Sequence, residues 1–360
     1  MPNYRGTHTI GVPATNFSKT ALITDGVRPA RPFLPRRSRW TLPLLLGAVL
    51  SLSVIGAAGE DAPDVALPPA SLAARIQALD LDAAGRDRLA DAVQQRQYGV
   101  AEKILLDTAQ LHPAAPTYAL LGTVLFLDGR YLNAAIALKK ADGLRSLDER
   151  DRFTLAMAYV AMDKRDWARQ ELDRLAASEA RQALYPYWLS RLDYWDMRMN
   201  SAVANARKAI ALDPTFMKAY DNLGLSYEGL GRNDEAILAY EKAIAMNRSR
   251  RLPSPWPPLN LGALLVKLGR LDEAEPYLQE SLKYDARFPK AHYQMALLLD
   301  KRKAEDAALK ELAAAVQNDP RYAEPHYLLG RIYTRRGETA RAAEEWRTFH
   351  QLKEEHGPEP

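Results

Sequence analysis

Cysteine is absent from all 360 residues. That one absence excludes disulfides, cysteine-ligated zinc, thiol catalysis and a lipid-anchored N-terminal cysteine together. It leaves the redox compartment open, because exported proteins also fold without disulfides. Catalytic signatures are missing too: there is no HExxH, no phosphate-cradling glycine loop and no nucleophile motif. Glycine is not enriched, at 19 residues, so the composition lets most of the chain fold.

Most of the chain also lacks an excess of basic charge. The formal net charge is +4, yet residues 1–58 hold seven Lys/Arg (Arg5, Lys19, Arg28, Arg31, Arg36, Arg37 and Arg39) against Asp25 alone. Those residues carry +6 and leave −2 for residues 59–360. The larger part therefore offers no electrostatic reason to expect nucleic acid.

Within that basic stretch, Arg36-Arg37-Ser38-Arg39 precedes an uncharged run from Trp40 to Ala58 with Leu44-Leu45-Leu46 at its centre. Basic residues, an apolar run and then small residues (Gly56-Ala57-Ala58-Gly59) are the layout of a secretory signal. The run is 19 residues, which also suffices to span a bilayer uncleaved. Either way, the positive-inside rule keeps the arginines cytoplasmic and sends the residues after Ala58 across the membrane. The N-terminal plan is thus a basic disordered leader over 1–39, a signal h-region or single anchor over 40–58, and an acidic, proline-bearing linker over 59–70. The chain is expected outside the cytoplasm, periplasmic or extracellular.

Beyond the linker a 34-residue period governs the chain. Small residues recur at Gly122, Ala156, Ser190, Gly224, Gly262, Ala296 and Gly330, and a second series comes twelve later at Ala134, Ala168, Ala202, Ala236, Ala274, Ala308 and Ala342. Each step is 34 residues except one of 38, from an insertion near Arg251-Leu252-Pro253-Ser254 that reads as a longer exposed loop. A fixed period of this size marks stacked supersecondary units. Within one unit, Tyr220, Leu223, Gly224 and Tyr227 share a helical face. Gly231 breaks the helix, Asp234 is a candidate cap for the next, and Ile237, Tyr240 and Ile244 make that next helix amphipathic.

The pattern resembles the tetratricopeptide repeat. Its large–small–aromatic spacing stands as Tyr118/Leu121-Gly122/Leu125, Leu155-Ala156/Tyr159, Leu261-Gly262/Leu265, His292/Met295-Ala296/Leu299 and His326/Leu329-Gly330/Tyr333, and its terminal proline as Pro214 and Pro320. The resemblance implies an all-α fold, a right-handed α-solenoid of stacked helix–turn–helix repeats over 71–356 with a tail at 357–360. Repeats start near Ala115, Glu149, Ala183, Met217, Pro255, Pro289 and Ala323. A degenerate unit over 82–114 and a capping helix from Ser71 to Leu79 precede them. The unit from Ala183 departs from the family at Pro186 and Asp193, which suggests a first helix shifted by a residue.

In this family the first helices line a concave groove through positions two, five, six, nine, twelve and thirteen. Carried onto this sequence, the partner-binding groove comprises Phe126, Phe153, Tyr187, Trp188, Arg191, Asn222, Trp256, Asn260, Lys290, Tyr293, Tyr327 and Arg331. Met157, Lys218, Asp221, Gln294 and Arg335 share those positions, and Tyr194 and Trp195 divide evenly between groove and core. Rings beside amides suit an extended peptide, and Asn222 and Asn260 read more readily as groove contacts than as buried groups. The family's carboxylate clamp is not expected, since Asp221 and Leu225 stand where its Lys and Asn would be. His292 and His326, 34 apart, read as packing residues, so neither a metal nor another cofactor is expected.

Taken together these features point to a non-enzymatic adaptor, exported or membrane-anchored. It would bind protein or peptide partners, not nucleic acid, in assembling a bacterial envelope complex. Self-assembly by stacking through an uncapped last repeat stays open, as does, more remotely, an enzyme with an unrecognised groove site.

Overall fold

The structure is a computed structural model that describes residues 69–178 and 182–356. The leader, the 40–58 run, most of the linker and the tail lie outside the described residues. No helix among the described residues is long and apolar enough to cross a membrane.

Those residues form seventeen helices and no strand. A short helix, α1 (Pro69–Gln77), precedes the degenerate pair α2 (Ala83–Gln94) and α3 (Tyr98–Leu111). Seven pairs come next, beginning with α4 (Ala115–Leu127) and α5 (Tyr131–Leu144), α6 (Glu149–Ala161) and α7 (Arg165–Ala176), and α8 (Leu184–Trp195) and α9 (Met199–Leu212). The remaining four are α10 (Met217–Gly229) with α11 (Asn233–Arg248), α12 (Trp256–Lys267) with α13 (Leu271–Tyr284), α14 (Pro289–Lys301) with α15 (Glu305–Asn318), and α16 (Ala323–Arg335) with α17 (Thr339–His356). In each of the seven pairs a helix packs most extensively on its partner, and second helices pack on the first helix of the following pair, so the described residues form an α-solenoid.

The small-residue series has a steric cause. A Cβ built on Gly224 would lie 2.4 Å from Tyr240 Cε1, one on Gly122 2.5 Å from Leu138 Cγ, one on Gly262 2.6 Å from Leu278 Cδ2, and one on Gly330 2.8 Å from Trp346 Cε2. In each of these four pairs a residue of the second helix, 16 positions on, presses against the bare backbone of the first. Size is exchanged along the series: where the first helix carries Ser190 in place of glycine, the residue 16 on shrinks to Ala206. Ser190 instead donates its hydroxyl to the Ala202 carbonyl at 2.7 Å.

The turn inside each pair repeats as well. Gly129, Asp163, Met197, Gly231, Gly269, Lys303 and Gly337 all have φ between 54° and 77°. The next residue donates back to the first helix, as in Arg130 N–H to Leu125 O and Arg198 N–H to Asp193 O, the closure of a helix ending in a left-handed residue. Asp213, Asp285 and Asp319 close the turns between pairs by accepting the N–H two residues on, at 2.8, 2.9 and 3.0 Å.

Two expectations are corrected. Asp234 is not the cap of α11: Arg232 holds that position and pairs with Glu235, while Asp234 and Glu235 sit in the first turn where the helix dipole favours them. The insertion is only partly a loop, since α11 runs 16 residues against the 14 of α9, α13 and α15. Its loop is pinned, because buried Asn247 donates to Ser254 O at 2.7 Å and accepts from Ser254 N–H at 2.8 Å, leaving Arg251 and Leu252 exposed. The first helices of the pairs from Ala183 and Pro255 start at Leu184 and Trp256, and the former is the one-residue shift expected from Pro186 and Asp193.

Candidate partner-binding surface

First helices touch one another from α8 through α10, α12 and α14 to α16, and α4 touches α6, whereas second helices make no comparable contact with second helices. The first helices are therefore the tighter, inner layer, and side chains on their free side make up the candidate surface.

The structure divides the expected groove residues into a buried set and an accessible set. Phe126, Phe153, Tyr187, Trp188 and Arg191 are buried, and Met157 is fully so. Phe126 meets Tyr131 edge-on at 5.4 Å between ring centroids, and Phe153 lies 5.8 Å from Tyr185, whose hydroxyl bonds Glu149. Tyr187 sits between Trp188 at 5.6 Å and Phe216 at 5.0 Å. Direct contact between first helices weakens from α6 to α8, where the Phe153–Tyr185 contact spans the seam. The expectation that Asn222 is better explained by groove contact than by burial is corrected: it is 1% exposed. Its amide donates to Ser190 Oγ at 2.5 Å and its oxygen faces Arg191 Nη1 at 3.5 Å, so the polarity of Asn222 is spent inside the repeat seam.

Beside it lies a group that residue type alone does not single out. Asp221 is buried, and both its carboxylate oxygens accept from Asn260 Nδ2, at 3.1 and 3.0 Å. Burial pushes its carboxyl up to about 6, against the pull of the Asn260 hydrogen bond and the Arg191 charge. Arg191 in turn lies 5.0 Å from the Trp195 ring centroid. Tyr194 is half-buried, and burial raises its pKa, with the Glu228 charge adding to the effect. Glu228 itself accepts from Lys267 at 3.0 Å and Tyr240 at 3.3 Å. A polar seam thus runs from α8 through α10 to α12 with its members already paired.

The accessible set lies further along. Trp256, Asn260 and Tyr293 are half-buried, and Lys290, Tyr327 and Arg331 are exposed. Lys290 Nζ stands 4.7 Å above the Trp256 ring, which packs edge-on against Phe288 at 4.9 Å. Tyr293 meets Tyr322 at 5.5 Å; burial and the Glu324 charge raise its pKa, while the Arg331 charge lowers it. Lys290 and Arg331 have no ion pair among the described residues, whereas nearby Arg335 is held by Asp300 and Glu305. Tyr327 turns toward α17, 5.1 Å from Trp346 and 5.4 Å from Phe349. The surface left open on α12, α14 and α16 is therefore two cations set among rings.

Histidines 292 and 326 each pin a first helix to its partner. His292 Nδ1 meets Glu311 Oε2 at 2.7 Å and His326 Nδ1 meets Glu345 Oε2 at 2.6 Å, both pairs 19 residues apart. Glu311 holds the His292 pKa above its ordinary value. No cluster of three metal-ligating side chains occurs among the described residues.

Tetratricopeptide repeat family models match residues 218–250 and, in overlapping copies, 259–323 and 298–346. Two solved structures share the fold, each with a TM-score of 0.56. One is the APC/C hetero-tetramer Cut9-Hcn1, at 18% identity over 68% of this chain and 48% of that one. The other is a tetratricopeptide repeat protein from Parabacteroides merdae, at 14% identity over 65% of this chain and 91% of that one. A curated relative, the cytochrome c-type biogenesis protein CycH of Rhizobium meliloti, is 31% identical over 127 residues, 34% of this chain. The match spans only 32% of that relative's length. Stacked helix pairs with a free inner face define a repeat-solenoid protein. Over residues 218–250 and 259–346 that solenoid is built of tetratricopeptide repeats.

Proposed function

We propose that this chain is a scaffold rather than an enzyme, and that it binds a protein or peptide partner on the inner face of α12, α14 and α16. The observation that carries this reading is the pair of exposed cations, Lys290 and Arg331, set beside Trp256 and Tyr293 with no ion pair among the described residues. Such a face suits an acidic segment with aromatic or aliphatic side chains: the cations take its carboxylates and the rings its apolar groups. The same reading puts the protein outside the cytoplasm, tethered or released through residues 40–58, as an assembly factor in a bacterial envelope complex. The arginine-flanked apolar run and the similarity to a protein named for cytochrome c biogenesis support it. The test is co-purification of the full chain with its partner. A Lys290→Glu/Arg331→Glu variant retains roughly tenfold less, ~1.4 kcal/mol, while Lys242→Glu on the exposed side of α11 retains it all. Equal retention by both variants refutes the site.

Self-association is a second reading, favoured by Tyr327, which is 41% exposed against Trp346 and Phe349 on the last described pair. Light scattering that finds a concentration-independent monomer removes it.

A further inference from the structure

One end of the inner layer already carries a helix. Helix α1 packs on its neighbour α2 but also on α4, and α2 makes no comparable contact with α4. The place that a preceding first helix fills elsewhere is taken here by α1. Arg75 crosses α4 to reach the next pair: Nη1 donates to Thr123 Oγ1 at 3.0 Å and Nη2 to Asp151 Oδ1 on α6 at 2.7 Å. Thr123 is the ninth residue of its repeat, on the side where the groove residues lie, and both Thr123 and Asp151 are buried. On the same side of α1, Leu72 packs against the core, while Ile76 and the following Leu79 are buried in it.

This contact has the chemistry of a bound ligand. A helix of nine residues is too short to persist alone, so α1 exists by virtue of what it sits on. Its hold is one ion pair, one hydrogen bond and three aliphatic side chains. Burial pushes the Asp151 carboxyl up and the Arg75 charge pulls it back down, so a guanidinium from outside the repeats compensates a carboxylate inside them. The short tether from Gln77 to α2 keeps α1 at a local concentration in the millimolar range. A free segment with the same contacts competes poorly, but one that also engages the Lys290 and Arg331 surface displaces it.

We propose that α1 is an exchangeable, built-in occupant of the inner face at α4 and α6, and that the partner segment replacing it is an amphipathic helix with α1's own pattern. That pattern is an arginine with aliphatic residues three before, one after and four after it, as in Leu72, Arg75, Ile76 and Leu79. The proposal rests on reading the inner face as the partner surface.

The probe is a fluorescein-labelled peptide of residues 69–82, titrated by anisotropy into three full-length proteins. Arg75→Glu, which frees α1 from Asp151, binds the peptide at least tenfold more tightly than the parent. Adding Asp151→Arg to that variant restores the ion pair within the chain with its charges exchanged, so α1 docks again and the gain in peptide binding is lost. Equal binding to all three proteins, or to none, overturns the proposal. Hydrogen exchange on the unaltered chain guards against a misfolded variant: α1 amides exchange at least tenfold faster than those of α4 and α6. Exchange as slow in α1 as in α4 overturns the proposal independently. The two readings fail separately: full retention of the partner by the Lys290→Glu/Arg331→Glu variant sinks the surface on α12, α14 and α16, whereas failure of the peptide titrations with partner retention still reduced by that variant sinks only this inference.

Discussion

If close helix approach causes the small-residue series, the same substitution acts in opposite directions at two glycines. At Gly224 an added methyl would stand 2.4, 2.5 and 2.9 Å from three ring atoms of Tyr240, a side chain with no solvent exposure. The ring can retreat only by breaking its own packing and its bond to Glu228. Overpacking of this kind costs about 1–3 kcal/mol, and alanine's better helix propensity returns about 1 kcal/mol at most. Gly224→Ala is thus expected to destabilise by about 1 kcal/mol, the middle of that difference. At Gly143, in the last turn of α5, no atom lies within 4 Å of the new methyl, so Gly143→Ala is expected to stabilise by about 0.5 kcal/mol. Urea denaturation followed by circular dichroism measures both. A Gly224→Ala/Tyr240→Leu double variant, which copies the Ala156/Leu172 pairing, shows a coupling that differs from zero by at least ~0.5 kcal/mol. Gly224→Ala as stable as the parent refutes close helix approach as the cause of the period.

Three further perturbations probe the turns and the polar seam. Met197 holds φ 57° while 75% exposed, so Met197→Gly relieves strain without losing packing and stabilises by roughly 0.5–1 kcal/mol; an unchanged urea midpoint contradicts this. Asn247→Ala removes two hydrogen bonds at a buried site, costs roughly 2 kcal/mol and speeds hydrogen exchange of the Ser254 amide; unaltered exchange shows that the loop holds itself. The Asp221 carboxyl, at about 6 in the folded chain against 3.8 ordinarily, binds more protons folded than unfolded, so the stability it contributes falls as pH rises from about 4 to 6, by roughly 3 kcal/mol. Asp221→Asn keeps an acceptor for Asn260 and abolishes that dependence. His292, whose raised pKa also favours the folded chain at low pH, is common to parent and variant and drops out of the difference. Parallel stability–pH curves refute the assignment.

The repeat could be read from residues because its cause is local: one glycine, alanine or serine, one facing side chain 16 residues on and one turn residue recur from pair to pair. Which inner-face positions stay open could not be read. Position within a repeat gives the direction of a side chain but not the groups that lie against it. Phe126, Phe153, Tyr187 and Trp188 point as expected, yet they are covered by rings from Tyr131, Tyr185, Phe216 and Trp195. Asn222 misled for a related reason, because a polar side chain is no sign of exposure when Ser190 and Arg191 satisfy it. The turn rule also hid four cases, since Arg96, Asp163, Met197 and Lys303 adopt the conformation that glycine marks in the other pairs. Arg75 and Asp151, 76 residues apart, carry no pattern that would have joined them.

The scaffold reading turns on partners binding the first-helix side of the C-terminal pairs. A photo-reactive benzoylphenylalanine placed at Tyr293 or Tyr327, against controls at Leu238 and Trp167 on exposed positions of second helices, tests it directly. The expected result is one partner adduct from position 293, reduced by Lys290→Glu/Arg331→Glu, and none from 238 or 167. The same adduct from 238 or 167, with 293 silent, contradicts it.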